Sequence, residues 1–229
     1  MNFTRLLILL AILVVGGFCH TAVAQDDEDF QQSQDDEDVQ SWNEIQLTVP
    51  MGKRVDFLTK LTMRIGKDVT RLNSGRIAIG YVWKPIKQVS VSPLYTFVNG
   101  RNSAGLFTIE NRLSIAGAYR FPVRRFGLTH RSTIERRFRV PVNSWRYRAQ
   151  FMIDKDISEK VIPKAKFFLS NEVFYHSITR RFSRNRFSAG ITKTLTDNVA
   201  LDLFYMRQND GTVQTGDLNI IGTAWKIRM

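Results

Sequence analysis

The final stretch of the chain, GDLNIIGTAWKIRM (residues 216–229), decides the fold. Its apolar side chains alternate up to the last residue, so that Trp225, Ile227 and Met229 share one face and the two basic residues between them share the other. A period of two is that of a β-strand, whose successive side chains point to opposite faces. The chain is therefore predicted to end in a strand with one apolar and one charged face.

Within this strand, Gly222, Trp225, Ile227 and Met229 are spaced as in the carboxy-terminal assembly signal of outer-membrane β-barrels, which the barrel-insertion machinery recognises. The resemblance departs at Ile220, where a polar residue is usual, and at Met229, where an aromatic residue is usual. The resemblance implies a barrel fold and the insertion machinery as a partner.

The amino terminus has the layout of a cleaved secretory signal peptide. Arg5 precedes an apolar run over residues 6–18, and a small-x-small site ends at Ala24. The run is shorter than the ~20 residues of a membrane-spanning helix. Cys19 leaves a lipoprotein signal as an alternative. We predict a signal peptide over residues 1–24, export to the bacterial outer membrane, and a mature chain without a thiol.

Charge divides the remaining chain into two segments. Residues 25–41 carry eight Asp and Glu and no base, whereas residues 42–229 carry 32 Lys and Arg against 13 Asp and Glu. An acidic segment poor in apolar residues cannot bury enough surface to fold, so we predict a disordered tail over 25–41 and a barrel over 42–229. An exported basic chain does not meet nucleic acid. Outer-membrane lipid, lipopolysaccharide or a small anionic solute is the expected partner.

Alternation of period two continues through the chain from Trp42 onward, in segments of about ten residues between turn residues. Further segments of this kind cover residues 55–65, 76–83, 107–120, 145–154, 165–175 and 184–195. A soluble β-sandwich also alternates and stays an alternative. The signal peptide, the final strand and the dense charge of the polar face favour lipid outside and water within.

The connections between these segments differ in length. Short links are predicted at 51–54, 85–87, 121–126 and 196–198, and longer loops at 66–75, 99–105, 176–183 and 209–216, with 140–143 and 154–163 breaking the alternation. Short turns should face the periplasm. About eleven segments can be counted, but bacterial barrels prefer even numbers. We therefore predict an all-β fold, a transmembrane antiparallel up-and-down β-barrel of 10 or 12 strands.

Charged side chains line the predicted inner face of the second half. They form a ladder of Glu110, Arg112, Glu135, Arg137, Arg146, Arg148, Glu172, Arg184 and Arg186. All inward positions between 107 and 195 together carry eleven cations, Arg139 and Lys164 among them, against four carboxylates. Two interpretations stay open: opposite charges pair and fill a narrow barrel, or the positive surplus selects anions.

The order of these residues resembles a bacterial family known as the domain of unknown function numbered 2490. The motifs are Glu110-x-Arg112, Ile134-Glu135-Arg136-Arg137, Trp145-Arg146-Tyr147-Arg148, Asn171-Glu172-x-Phe174, Arg184-Asn185-Arg186 and Tyr205-x-Arg207-Gln208. The resemblance spans residues 42–229 and implies an outer-membrane barrel, to which no activity is attached.

Two hypotheses concern the mouths of the barrel. The acidic tail, tethered at the periplasmic mouth of a positive lumen, either docks inside and occludes it or serves as a solvated spacer. Arg180, Arg181 and Arg184 form a basic rim suited to lipopolysaccharide phosphates, unless they belong to an ordinary girdle at headgroup level.

Catalysis has one weak candidate. His130-x-Ser132-Thr133 resembles the short motif of lipid A deacylases and lies on the predicted outer face, but Glu135 alternates to the inner face, away from His130. Two His and no Cys in the mature chain suit no metal site, and we predict no cofactor. The expected protein is no enzyme but a narrow, anion-preferring channel or a structural, lipid-interacting envelope protein. The alternative is a lipid-modifying barrel hydrolase using His130 and Ser132.

Overall fold

The computed structural model describes residues 38–102, 105–140, 142–210 and 217–229. The predicted signal peptide and residues 25–37 of the predicted tail lie outside these ranges. Within them, the chain forms eleven strands: β1 (Asp38–Pro50), β2 (Val55–Gly66), β3 (Arg71–Ile86), β4 (Val89–Arg101), β5 (Phe107–Phe121), β6 (Gly127–Phe138), β7 (Ser144–Asp156), β8 (Ala165–His176), β9 (Arg181–Thr196), β10 (Val199–Asp210) and β11 (Leu218–Arg228). No helix in the described part of the chain is long and apolar enough to cross a membrane.

The sheet closes on itself because β1 pairs with β11. All other neighbours are consecutive in the chain and antiparallel. An odd number of up-and-down strands makes the first and last strands run the same way, so the closing ladder is parallel, from Asp38 beside Leu218 to Thr48 beside Arg228. The prediction of an all-β, up-and-down barrel is confirmed. The predicted number of 10 or 12 strands is wrong, because a parallel closing pair removes the need for an even count.

The barrel begins earlier than predicted. Residues 38–41, assigned to the acidic tail, belong to β1. Asp38 is buried, and its carboxylate accepts hydrogen bonds from Nε2 of Gln40 (2.7 Å) and from the backbone nitrogen of Asp68 (2.9 Å). These donors allow an acidic residue to begin a strand.

We call the two mouths the N-terminal end, where β1 begins, and the C-terminal end, where β11 finishes. Residues 25–37 therefore join the barrel at the N-terminal end. The tail hypothesis placed them at the mouth with the predicted short turns, which is the C-terminal end, and this placement is wrong. The reason is again the parallel closing pair, which puts the two termini of the barrel at opposite mouths.

The predicted contrast in loop length is largely absent. The connections are residues 67–70, 102–106, 139–143, 177–180 and 211–217 at the N-terminal end, and 51–54, 87–88, 122–126, 157–164 and 197–198 at the C-terminal end. Strands continue into the predicted loops: β3 already includes residues 71–75, for example. The longest connection, residues 157–164, lies at the C-terminal end.

The outward face of the barrel is apolar and exposed. Ile79, Leu113, Ile115, Ile134, Leu203 and Ile221 lie on this face, with Ile115 61% and Ile221 64% exposed. Outward aromatic side chains stand near both ends: Phe107, Phe138, Trp145 and Phe182 at the N-terminal end, and Trp83, Tyr119 and Trp225 at the C-terminal end. The inward face, in contrast, is mostly polar, and the charged side chains lie there.

The final strand follows the predicted alternation. Trp225 and Met229 lie on the exposed outward face, whereas Lys226 pairs inside the lumen with Asp202 at 2.6 Å. Ile220 points inward and is fully buried. Water does not reach this part of the lumen. An apolar residue is therefore stable at a position where the assembly signal usually has a polar one.

Gly222 also faces inward, and its hydrogen leaves room for an aromatic ring. A Cβ atom at this position would lie 2.1 Å from Cζ of Phe204, on the neighbouring strand β10. Gly190 of β9 accommodates the same side chain, since a Cβ there would lie 2.6 Å from Cβ of Phe204. The inward glycines of β9 and β11 thus form the place into which Phe204 packs.

This packing predicts the effect of filling Gly222. Gly222→Ala should lower the free energy of unfolding by about 1–3 kcal/mol, because the Phe204 ring must move. The measurement is the urea midpoint of the protein refolded in detergent. The matched control is Gly117→Ala, since a Cβ at Gly117 meets no atom within 4 Å. Equal midpoints for the two variants would contradict the packing role of Gly222.

Candidate functional site

Twelve charged side chains lie together in the N-terminal half of the lumen, beyond Asp38 at its mouth, and we call this set the charged layer. Its members are Arg64, Arg76, Glu110, Arg112, Glu135, Arg137, Arg146, Arg148, Glu172, Arg184, Arg186 and Asp210. Eight are arginines and four are carboxylates, so the layer carries a net charge of +4. The alternation of the strands brings them together, because each strand sends every second side chain into the lumen.

Glu110 holds the first group of ion pairs. Arg112, on the same strand, donates from Nε (2.8 Å) and Nη2 (3.0 Å) to the two carboxylate oxygens. Arg137 of β6 pairs with the same two oxygens and also contacts Nε2 of His176 at 2.9 Å. Glu110, Arg112, Arg137 and His176 are all buried. One carboxylate therefore joins β5 to β6, and Arg137 extends the group to β8.

The other three carboxylates have arginine partners too. Glu135 pairs with Arg146 at 2.6 Å. Glu172 pairs with Arg148 at 2.6 Å and lies 3.7 Å from Arg186. Arg184 pairs with Asp210. A buried carboxylate without a cation would be strongly destabilising, so these pairs stabilise one particular arrangement of the lumen.

Two aromatic rings complete the layer. Phe174 is 1% exposed, and four guanidinium groups lie over its ring, at 4.6 Å for Arg186, 5.2 Å for Arg148, 5.4 Å for Arg146 and 6.0 Å for Arg184. Trp42 is also buried and lies 3.4 Å from Arg64. A ring face attracts a cation, so these rings stabilise guanidinium groups that crowd one another. The sequence assigned no role to either ring, although alternation with Glu172 and Glu44 places both inside.

The lumen is filled by side chains at the charged layer. Glu110, Glu135 and Glu172 are each less than a tenth exposed. Arg131, by contrast, projects inward from β6 towards the C-terminal half and is exposed. Barrels of about eight strands are filled by side chains and those of sixteen or more hold open channels. Eleven strands lie between these cases, and long side chains fill the lumen at the charged layer.

Several predicted positions differ in the structure. Arg184 was assigned to both the lumen and the lipid rim; its pairing with Asp210 places it in the lumen, so its rim assignment is wrong. Arg180 and Arg181 are exposed at the N-terminal end, where the rim was predicted. Arg139 and Lys164, counted among the inward cations, lie in connections, where strand alternation no longer sets the direction of a side chain.

The sequence missed one outward arginine at the N-terminal end. Arg136 lies between two outward rings, 5.1 Å from Trp145 and 5.7 Å from Phe138. The sequence contained this information, because Arg136 lies between Glu135 and Arg137. Those two side chains face the lumen, so Arg136 must face outward. Arg136 therefore joins the aromatic side chains at this rim.

A polar chain crosses the outward face on β6 and β7. Nε2 of His130 lies 2.9 Å from Oγ of Ser132, and the same oxygen lies 2.9 Å from the hydroxyl of Tyr147. Glu135 is on the opposite face and pairs with Arg146, while Nδ1 of His130 has no hydrogen-bond partner among the described residues. Ser132 lies beside Gly117, where a Cβ would meet nothing within 4 Å. His130 and Ser132 therefore lie within hydrogen-bond distance beside open space, but no described carboxylate contacts Nδ1 of His130 to orient its ring.

Metal chemistry finds no support in the described ranges. No group of three or more His, Cys, Asp or Glu in those ranges is placed to hold a metal ion.

The fold and the site together define a closed β-barrel with an apolar outer face and an arginine-rich, ion-paired lumen. The chain belongs to the family described as "Protein of unknown function (DUF2490)", whose model matches residues 39–219. The resemblance found in the sequence is thereby confirmed. No curated protein matches the chain.

One solved structure with a similar backbone is the anion-selective porin from Comamonas acidovorans. Its sequence is 11% identical, and the match covers 77% of this chain and 54% of the porin, with a TM-score of 0.39. This chain thus spans about half the length of that protein. A likeness this distant bears on neither the mechanism nor the solute of the present barrel.

The ion pairs predict that Glu110 stabilises the charged layer. Glu110→Gln should lower the free energy of unfolding by about 3–5 kcal/mol, because Arg112 and Arg137 lose their shared counter-charge in a buried setting. The measurement is the urea midpoint in detergent. Asp197→Asn, an exposed carboxylate in the connection 197–198, is the control and should leave the midpoint unchanged. A stable Glu110→Gln variant would mean that water solvates these arginines.

Proposed function

We propose that this protein spans the bacterial outer membrane, with lipid against its apolar outer face. Strands of 11 to 16 residues reach or exceed the ~9–11 that a transmembrane strand needs. The outward aromatic side chains near both ends are placed as in the girdles of membrane barrels. The predicted signal peptide and the final strand support export and insertion, and we place the C-terminal end towards the periplasm.

We infer that the lumen is a narrow pathway that prefers anions. The observation that carries this proposal is the charge of the layer, eight arginines against four carboxylates. Rings of Arg and Lys favour anions in pores because the local potential is positive. Since the layer is filled, ions pass only when its side chains rearrange, and brief openings are expected.

A structural, lipid-interacting role is the competing proposal. It is supported by the burial and pairing of Glu110, Glu135 and Glu172, which resemble a filled core more than a pore wall. Arg136, between its two rings, would then bind lipid phosphate at the rim. Conductance separates the two proposals.

The test is current through the mature protein in planar bilayers under a KCl gradient. The wild type should give small steps whose reversal potential indicates a preference for chloride. Arg146→Ala combined with Arg148→Ala should reduce the chloride-to-potassium permeability ratio by about twofold or more, because half of the net charge of the layer is removed. Arg131→Gln, which breaks no ion pair with a described carboxylate, should act in the same direction.

The control for this test is Arg124→Gln combined with Arg125→Gln, two exposed residues in the connection 122–126. These changes remove the same charge away from the lumen. Equal selectivity of all variants would contradict an anion pathway through the layer. A folded wild type without current would favour the structural proposal.

Hydrolysis of lipid acyl esters is a second candidate, favoured by the 2.9 Å contact between His130 and Ser132 on the lipid-facing surface. Oγ of Ser132 would attack the ester carbonyl while its proton passes to Nε2 of His130. The alcohol would leave with that proton, and water would then release the fatty acid from Ser132. The missing acid makes this the weaker proposal.

Its test is fatty-acid release from phospholipid micelles mixed with the refolded protein. Ser132→Ala should reduce release by roughly 10²–10⁴-fold. Ser114→Ala, an inward serine whose hydroxyl contacts the backbone oxygen of Leu94, is the control and should keep full activity. Absence of fatty-acid release by the wild type would contradict this proposal. His130, Ser132 and Tyr147 would then only form hydrogen bonds with one another.

A further inference from the structure

Two arginines of the charged layer make no ion pair with any described residue. Arg64 of β2 and Arg76 of β3 are both half-buried. The Nε atom of each is inaccessible to water and has no hydrogen-bond partner in the described part of the chain. The four carboxylates of the layer pair with other arginines. Arg64 and Arg76 therefore carry two of the surplus positive charges of the layer.

One carboxylate outside the layer also acts on Arg64. Glu44 of β1 is that residue, and it makes its ion pair with Lys60 at 3.0 Å. Its second oxygen accepts a hydrogen bond from Oγ1 of Thr62 at 3.2 Å. Glu44 and Lys60 thus neutralise each other, and the surplus charge at Arg64 and Arg76 remains.

The charges of the layer that act on these two side chains are mostly positive. Those that act most strongly on Arg64 are Arg76, Arg186, Arg112 and Arg184. Arg112 and Arg186 also act on Arg76, more strongly than Glu110 and Glu135 do. Clustered charges of one sign in a low-dielectric cleft concentrate the opposite ion. This side of the lumen therefore attracts an anion.

Arg64 is held in place by an aromatic ring. Its guanidinium carbon lies 3.4 Å from the centre of the Trp42 ring. Nε1 of Trp42 donates to Gln40 at 2.8 Å, and Nε2 of Gln40 donates to Asp38 at 2.7 Å. Trp42, Gln40 and Asp38 are all buried, so the ring is fixed. Stacking occupies the face of the guanidinium group and leaves the N–H donors in its plane for an anion.

Arg64 and Arg76 are diagonal neighbours on the inner face of β2 and β3. Arg64 pairs with Ser74, and Arg76 lies two residues further along β3, a separation of about 7–8 Å that long side chains can bridge. Each guanidinium group can donate two parallel hydrogen bonds to an oxoanion. Two such groups match the several oxygens of a phosphate or sulfate, and a phosphate group carries a charge of about −1.5 to −2 at neutral pH.

We propose that Arg64 and Arg76 together bind a phosphate or sulfate dianion in the lumen. The ligand is a free solute and not a lipid headgroup, because both side chains point away from the lipid-facing surface. The bound dianion neutralises the charge of these two arginines and relieves the repulsion between them. The inference rests on the anion preference proposed for the layer and names the group that the layer binds, but it does not require conduction.

The test is isothermal titration calorimetry of the full mature protein, refolded in a detergent without phosphate groups. Inorganic phosphate and sulfate are titrated separately at constant ionic strength. The wild type should bind one dianion per barrel, and Arg64→Gln combined with Arg76→Gln should weaken binding at least tenfold. Arg64→Lys combined with Arg76→Lys should also weaken it, because lysine keeps the charge but lacks the planar fork of donors.

The matched control is again Arg124→Gln combined with Arg125→Gln, which should keep the affinity of the wild type. Heat-modifiable gel mobility verifies that each variant is folded, and the lysine variant provides the test if the glutamine variant does not fold. The inference is overturned by a wild type that binds neither dianion or by unchanged affinity in a folded Arg64/Arg76 variant. An equal loss of affinity in the control would also overturn it.

Planar bilayers separate this inference from the channel proposal. If both hold, added phosphate should reduce the chloride current of the wild type more than that of the folded Arg64/Arg76 variant. Phosphate binding without current in any variant would uphold the dianion site and contradict the channel. Chloride current without phosphate or sulfate binding would contradict the dianion site and uphold the channel.

Discussion

The parallel ladder between β1 and β11 is the contact on which the rest of the barrel depends. It closes an odd number of strands and leaves no open edge. One side-chain and one backbone hydrogen bond support its register. Oγ1 of Thr223 donates to Oδ1 of Asn43 at 2.7 Å, and the backbone nitrogen of Met229 donates to the backbone oxygen of Thr48 at 3.0 Å. Because the two strands run the same way, the chain enters the barrel at one mouth and leaves it at the other.

The size of the barrel explains the chemistry of its lumen. Eleven strands enclose more space than small side chains fill and less than a wide channel needs. Arginine, tryptophan and phenylalanine are long enough to meet across it, as the contacts of Arg186 with both Trp42 and Phe174 illustrate. Each buried carboxylate requires a cation nearby. The layer has more arginines than carboxylates, so its net charge is positive.

The sequence predicted the features that depend on the strand period and missed those that depend on contacts between distant strands. Alternation alone assigns Glu110 and Arg112 to one face and Ile109 and Leu113 to the other, because the backbone fixes this period. The start of β1 could not be predicted, since one of the two donors to the Asp38 carboxylate belongs to Asp68, in the connection 67–70. The stacking of Arg64 on Trp42 could not be predicted for the same reason, because the two residues meet only through the register of β1 and β2.

The closing ladder has a kinetic consequence. Asn43 and Thr223 are 180 positions apart, so their strands pair across nearly the whole folded chain. Contacts of such separation form late, because the entropy of closing the intervening loop must be overcome first. Until then β1 and β11 are free edges, and the backbone N–H and C=O groups along them have no strand partner. A chain with its first ten strands in place is still an open sheet, and only the arrival of the final strand completes it.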